Sequence, residues 1–205
     1  MSIQESFASV RARPPPEVSE RVTGRAATIG AQSMPDDEHK ARFARLVREH
    51  HTFVWRTARR LGVPSSDVDD VVQEVFLLAA RKLDVMVAER GYLFQTCAYV
   101  AAHTRRSARR RREVTDDDRV NSEADDRATP ERNAENAEAR EQLQTILEAM
   151  PDDVRSCFVL FELEGFKMTE IAEITSAPMG TVGSRIRRGR EIFLSSVEAF
   201  GRGGR

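Results

Sequence analysis

Cysteine is scarce in this chain: its 205 residues include two, Cys97 and Cys157. They lie far apart, without CxxC spacing, each in an apolar helical setting. This argues against a disulfide framework or a cysteine metal site and predicts buried, reduced thiols. Long apolar runs are also missing. None approaches the roughly 20 residues needed to cross a bilayer, so the chain is expected not to be membrane-spanning. The N-terminus lacks the apolar core of a signal peptide. A reducing, cytoplasmic setting is the expectation. Catalytic signatures are absent too. His39, His50, His51 and His103 form no metal-ligand pattern such as HExxH, and no glycine-rich loop is present to cradle a phosphate. We therefore expect no catalytic residues, no metal, no cofactor and no small-molecule substrate. His50 falls on an apolar helical face and reads as a packed residue. Net charge is only -1, so the distribution of charge must carry the information.

Helical periodicity dominates what is present. The first 35 residues, with three consecutive prolines at 14–16, block helix and sheet alike and read as a disordered tail. From Asp36 onward, Phe43, Leu46, Val47, His50, Val54, Thr57, Ala58 and Leu61 recur on one helical face. Gly62 stops that helix. Ser66 opens the next, with Asp69 three residues on as in a capping box. There Val68, Val71, Val72, Val75, Phe76 and Ala79 make an apolar stripe opposite Asp67, Asp70, Gln73 and Glu74. Valines are poor helix formers in isolation, yet a strand would turn half of these acids inward. After a connector over 84–90, a third helix is predicted over 92–112, with Leu93, Phe94, Cys97, Ala98 and Ala101 facing the core. It ends in RRSARRRR (105–112), six arginines in about one and a half to two turns.

Residues 113–133 are acidic and nearly devoid of apolar side chains, which predicts a solvated linker. The segment reads equally as a plain spacer or as a nucleic-acid mimic that shields basic elements. Beyond it, Leu143, Ile146, Leu147 and Met150 share a face. Pro151 is expected at the first position of a helix, whose core side is Val154, Cys157, Phe158 and Phe161 and which Gly165 closes. A short helix over 169–175, a turn over 176–179 and a last helix over 180–200 complete the pattern, with Val182, Ile186, Ile192 and Phe193 as core candidates. Residues 201–205 form a glycine-arginine tail. The expected architecture is all-α, with small helical domains over 36–112 and 134–200.

Two elements point to nucleic acid. The pair of helices over 169–200, joined by a proline-containing turn, forms a helix-turn-helix in which Ile171 and Ala172 pack on Val182 and Ile186. Thr181, Ser184, Arg185, Arg187 and Arg188 near the start of its second helix supply the short donors and cationic forks that reach base edges and phosphates. The alternative reading is a solvated basic face. The arginine run at 105–112 suits phosphate contact, although a helix C-terminus favours cations anyway. Tyr92, Phe94 and Tyr99 upstream offer faces for unstacked bases, with Phe94 expected in the core. The acidic face at 67–74 is a solvated surface or a docking face for a basic protein.

Three motifs, in order, carry a family resemblance. DDVVQEVF (69–76) resembles the polymerase-docking helix of region two in bacterial sigma factors. GYLF (91–94), followed by Ala98 and the arginine run, resembles the promoter-melting and recognition helix of that region. EGFKMTEIA (164–172) with GTVGSRIRR (180–188) is similar to the region-four helix-turn-helix. The order and the intervening linker match the extracytoplasmic-function (ECF) group, which keeps only these two regions.

The resemblance implies that Asp67, Asp70, Gln73 and Glu74 dock core RNA polymerase. It implies that residues 83–90 capture a flipped base of the downstream promoter element. Tyr99, His103, Arg105, Arg106, Arg109 and Arg110 would contact the opened strand there. Thr181, Ser184, Arg185, Arg187 and Arg188 would read the upstream element. It also implies an anti-sigma factor as partner. The chain departs from the family pattern at Tyr99 and Val100, where Arg-Asn is frequent, at His103, where Asp is frequent, and at Gly183, where Lys or Arg is frequent. Lys167 stands where a capping Ser is common, leaving Thr169 to share that task. These departures suggest, as one alternative, a sigma-like protein that has lost melting ability, and two rivals follow from the residues. A stand-alone helix-turn-helix regulator would need a dimerisation seam, and no heptad run exists. A recombinase-like enzyme would need a clustered nucleophile or metal-binding carboxylates.

Overall fold

A computed structural model describes residues 36–114 and 130–203. The expected tail over 1–35 and the most acidic part of the linker lie outside the described residues. Among the described residues seven α-helices run in the order α1 (Asp36–Arg60), α2 (Val68–Ala80), α3 (Glu89–Val114), α4 (Pro130–Glu148), α5 (Asp152–Phe158), α6 (Met168–Thr175) and α7 (Met179–Gly203). Short 3-10 turns at Ser65–Asp67 and Leu83–Val85 flank α2. A π-helical turn, Val159–Leu163, extends α5. No strand occurs among the described residues.

The apolar periodicity explains the packing of α1 to α3. Leu46, Val54 and Ala58 of α1 meet Val68, Val71, Val72, Val75, Phe76 and Ala79 of α2, and Leu93, Phe94, Cys97 and Ala101 of α3. All are buried. The β-branched valines of α2 lose little by being helical, because tertiary burial outweighs their weak helix propensity. Gly62 adopts φ +85° at the end of α1, a left-handed conformation that costs glycine little.

In α4 to α7, Ile146, Leu147 and Met150 meet Val154, Cys157, Phe158, Leu160, Ile171, Val182 and Ile186. Gly165, at φ +71°, ends the π turn as the sequence predicts. Gly189 lets α7 approach α5 closely, for a Cβ there would stand 2.8 Å from Phe158 Cδ2. Phe158 in turn stacks on Phe193, with ring centroids 5.7 Å apart.

Several local expectations are corrected. α3 begins at Glu89, three residues before the predicted start, and α4 begins at Pro130, inside the segment read as linker. Ser66 does not cap α2. The preceding turn is 3-10, and the Ser66 hydroxyl donates to Asp67 Oδ1 at 2.9 Å. Pro151 is the residue before α5 rather than its first helical position, with extended ψ of 145°. Thr169 takes no capping role at α6. Instead the Lys167 backbone N–H donates to Glu170 Oε2 at 2.7 Å.

The sequence left open whether the two helical groups meet. They do, and the buried apolar residues of both belong to one continuous cluster.

Candidate nucleic-acid and polymerase interface

The acidic face of α2 is displayed as predicted. Asp70, Gln73 and Glu74 are exposed, and Asp67 is half-buried at the preceding turn. Asp69, beside them, accepts a hydrogen bond from the Trp55 indole at 3.2 Å and so belongs to the α1–α2 junction. Leu77 and Val85 stay exposed nearby, giving the acidic face an apolar border.

The residues assigned to the downstream element occupy α3. Tyr99 is half-buried against the core, while His103, Arg106, Arg109 and Arg110 are exposed. Arg105 departs from that pattern. It makes two hydrogen bonds to Asp152 of α5, at 2.7 and 2.8 Å. Burial alone would raise the Asp152 pKa. The bond to Arg105 and the charges of Arg105, Arg155 and Arg106 outweigh that and hold it below the ordinary carboxyl range.

The residues assigned to the upstream element lie on the first turns of α7, packed against α6 through buried Ile171, Val182 and Ile186. Arg187 and Arg188 project into solvent, with 80% and 64% of their side chains exposed, and their nearest acid is Glu191 on the same helix. Ser184 is exposed and its hydroxyl donates to the Thr181 carbonyl at 2.8 Å. Arg185 is different: only 23% of its side chain is exposed, and its Nε lies 2.9 Å from Asp153 Oδ2. Burial raises the pKa of the neighbouring Cys157 thiol, with Arg185 working against the rise. Gly183 is not demanded by packing, since a Cβ there would meet only Met168 Cε, at 3.4 Å.

Motif reading missed the junction between the two groups. Glu164, at the end of the π turn, has 1% of its side chain exposed. A buried carboxylate must be paired and hydrogen-bonded, and three arginines of the first group do this. Arg56 donates from Nε at 3.0 Å and from Nη2 at 2.9 Å, in a two-pronged contact. Arg60 donates from Nη1. Arg90 donates from Nη2 to Oε2 and to the Glu164 carbonyl, both at 3.2 Å. The Arg90 guanidinium also lies 4.9 Å from the ring centroids of Phe53 and Phe166, one from each group. Burial lowers the Arg60 pKa, Glu164 raises it and Arg56 lowers it further, with a net decrease.

Arg155 adds a second tie. It is buried and donates to the carbonyls of Leu61, Glu148 and Met150 at 2.9, 3.0 and 3.1 Å. Gln95 donates to the Ile174 carbonyl at 3.2 Å. The sequence carries no local signal that singles out Glu164, because Glu162 stands two residues before it in the same helical run.

Glu49, His50 and Glu89 bring potential ligand atoms within 4.8 Å of one another. His50 is half-buried and its Nε2 lies 3.1 Å from Glu89 Oε2. Arg45 also donates to Glu89, at 3.4 Å, so a protein cation already answers the charge there. No helix of the described residues is long and apolar enough to cross a membrane.

Comparison with known proteins agrees with this layout. Residues 46–114 match Sigma-70 region 2 and residues 140–192 match Sigma-70, region 4. The chain is 34% identical over 163 residues to the ECF RNA polymerase sigma-E factor of Escherichia coli K12, a match covering 75% of this chain and 84% of that protein. It is 32% identical over 181 residues to the ECF RNA polymerase sigma factor SigE of Mycolicibacterium smegmatis, covering 85% and 68%. Among solved structures, CnrH in complex with the cytosolic domain of CnrY shares the fold with TM-score 0.57 at 24% identity, over 77% of this chain and 88% of that one. The sigma factor RpoE of Bartonella quintana, bound to the anti-sigma factor NepR, does so with TM-score 0.59 at 17% identity, over 79% and 98%. With both regions matched in order and relatives aligned across most of its length, the chain belongs to the ECF group of RNA polymerase sigma factors.

Proposed function

We propose that this chain binds core RNA polymerase, selects promoters and promotes strand opening, with no covalent chemistry of its own. The observation that carries this reading is the separation of two chemistries on one chain. An exposed acidic face on α2 suits a basic protein, and exposed cations on α3 and at the start of α7 suit DNA. Asp67, Asp70, Gln73 and Glu74 dock polymerase. Thr181, Ser184, Arg185, Arg187 and Arg188 read the upstream element in the major groove. Tyr99, His103, Arg105, Arg106, Arg109 and Arg110 hold the downstream element as it opens. The division into functional domains over 36–112 and 134–200, with an acidic linker over 113–133, belongs to the same reading, as does a cytoplasmic setting.

An anti-sigma factor is proposed as the inhibitory partner. The complex of the Bartonella sigma factor RpoE, which shares this fold, with the anti-sigma factor NepR supports that assignment. The stand-alone regulator is disfavoured because it leaves the α2 face without a role.

The test is a pull-down of purified bacterial core polymerase with the chain, followed by transcription from a genomic-fragment library. Stable binding with transcripts from a few sites supports the proposal. No binding at low salt, with no anti-sigma factor present, returns the chain to the stand-alone reading.

A further inference from the structure

The proposed polymerase and DNA contacts leave an apolar groove on the region-4 part unused. It lies between α4 and α7, lined by Leu143 and Ile146 of α4, Leu163 of the π turn, and Phe193, Leu194 and Val197 of α7. Its charged members, Glu162 and Arg190, pair with each other at 2.6 Å, so an incoming ligand meets mainly hydrocarbon. Leu194 and Val197 are 62% and 46% exposed, and Phe200, one turn on, is exposed as well. Apolar side chains gathered on one exposed helix face mark a surface that something covers.

The N-terminal tail carries a matching segment. The prolines at 14–16 stop a helix there, but residues 2–11 ahead of them are patterned for one. Ser2 and Glu5 stand three apart, as in a capping box. Ile3, Phe7 and Val10 recur at i, i+4 and i+7, which makes a single apolar stripe. As a helix the segment is roughly 15 Å long, enough to run the length of the groove walls, 139–146 and 190–197. A helix this short is marginal in water and needs a surface to pack on. Neither the segment nor Phe193, Leu194 and Val197 fall within the residues matched to the sigma regions, 46–114 and 140–192.

We infer that residues 2–11 form an amphipathic helix seated in the α4–α7 groove of the same chain, with Ile3, Phe7 and Val10 packed on Leu143, Phe193, Leu194 and Val197. The reach is sufficient. α1 has 25 residues and is therefore roughly 37 Å long. Its C-terminal end lies at the end of α4, because Arg155 donates to the carbonyls of both Leu61 and Glu148. Residues 11–35 can span roughly 80 Å when extended, more than the path from the start of α1 to the groove. The tether also holds the segment near the groove at an effective concentration of about 1 mM, so a weak contact suffices. A partner helix entering this groove has to displace the tail.

Competition by the same segment in trans tests this on the full chain. A fluorescein-labelled peptide of residues 1–13 is titrated by anisotropy, up to millimolar protein, against the parent and against Phe7→Glu, whose own tail cannot seat. The peptide should bind Phe7→Glu about fivefold more tightly than the parent, the ratio expected when the tail fills the groove in about four of five parent chains. Adding Leu194→Glu or Val197→Glu should abolish that binding. Both side chains are exposed, and circular dichroism should show unchanged helix content. Equal affinity for parent and Phe7→Glu, no binding to either, or binding that survives both groove substitutions overturns the inference.

A photo-crosslink locates the tail directly. Phe7→benzoylphenylalanine should give monomeric adducts mapped by mass spectrometry to residues 139–146 or 190–197. Adducts that join two chains would assign the groove to a second copy, and adducts elsewhere in the chain would place the tail outside it. Either result overturns the inference.

Discussion

Arg105 of α3 and Asp152 of α5, 47 positions apart in sequence, meet through two parallel hydrogen bonds of 2.7 and 2.8 Å. The contact joins the arginine run of the region-2 part to the first turn of a region-4 helix. It also gives the chain a specific acid response. Asp152 has a folded pKa held below that of a free carboxyl, about 3.9. A group depressed in the folded state contributes stability that is fully present above the unfolded value and is lost as pH falls through the folded one. The advantage of the parent over Asp152→Asn should therefore be constant from about pH 6 down to about pH 5, and then shrink toward pH 2. Urea midpoints of the two proteins across that range measure it. A separation that stays constant to the lowest pH would show that the charge on Asp152 is not what stabilises the contact.

Two glycines on α7 should respond with opposite sign. Alanine at Gly183 meets only the flexible end of Met168, so the gain in helix propensity should stabilise by up to about 1 kcal/mol. Alanine at Gly189 puts a methyl group 2.8 Å from Phe158 Cδ2 and 3.1 Å from Phe158 Cβ. That ring is pinned by its stack on Phe193, and overpacking of this kind costs roughly 1–3 kcal/mol. Thermal melts of the two variants should move in opposite directions. A stabilised Gly189→Ala would mean that α5 and α7 can part without cost.

Much of this arrangement was legible because it is periodic. Val68, Val71, Val72, Val75, Phe76 and Ala79 recur at helical spacing, and every one is buried. Leu93, Phe94, Cys97 and Ala101 do the same in α3. The exposed face formed by Asp70, Gln73 and Glu74 follows from that stripe, as its complement. What was not legible depends on separation. Glu164 and Arg56 are 108 positions apart, and no local pattern announces a buried ion cluster whose members come from α1, α3 and a π turn. Arg185 reads as a base-contacting cation from its place on the helix. That Asp153 engages it depends on how α5 packs on α7. The missed cap at Ser66 is a local failure of another kind: the Val63-Pro64 entry leads into a 3-10 turn, which moves the start of α2 past the expected capping residue.

The thiols should be inert in the folded protein. Cys97 is fully buried, and burial pushes its pKa up to about 12. Cys157 is buried too and its pKa is raised. Since the thiolate is the nucleophile, neither should react with iodoacetamide at pH 7.5 in the native state, and both should react in denaturant. Rapid native labelling of Cys97 would require α1 and α3 to separate, because its thiol faces the Val54 carbonyl at 3.9 Å.

Charge reversal on α2 tests the polymerase face without disturbing the fold. Asp70 and Glu74 are exposed, one turn apart on the same side of the helix. The Asp70→Lys, Glu74→Lys pair should therefore leave the melting temperature within a few degrees of the parent, since exposed substitutions usually change stability by within about 0.5 kcal/mol. Affinity for core polymerase should fall by at least tenfold, because like charges set against a basic partner cost affinity as well as association rate. Binding of isolated promoter duplex should not fall. A fluorescence titration against core enzyme, paired with the same titration against DNA, separates the two. Equal loss in both would place Asp70 and Glu74 in the folding of the chain rather than in docking. No loss in either would remove the α2 face from the mechanism.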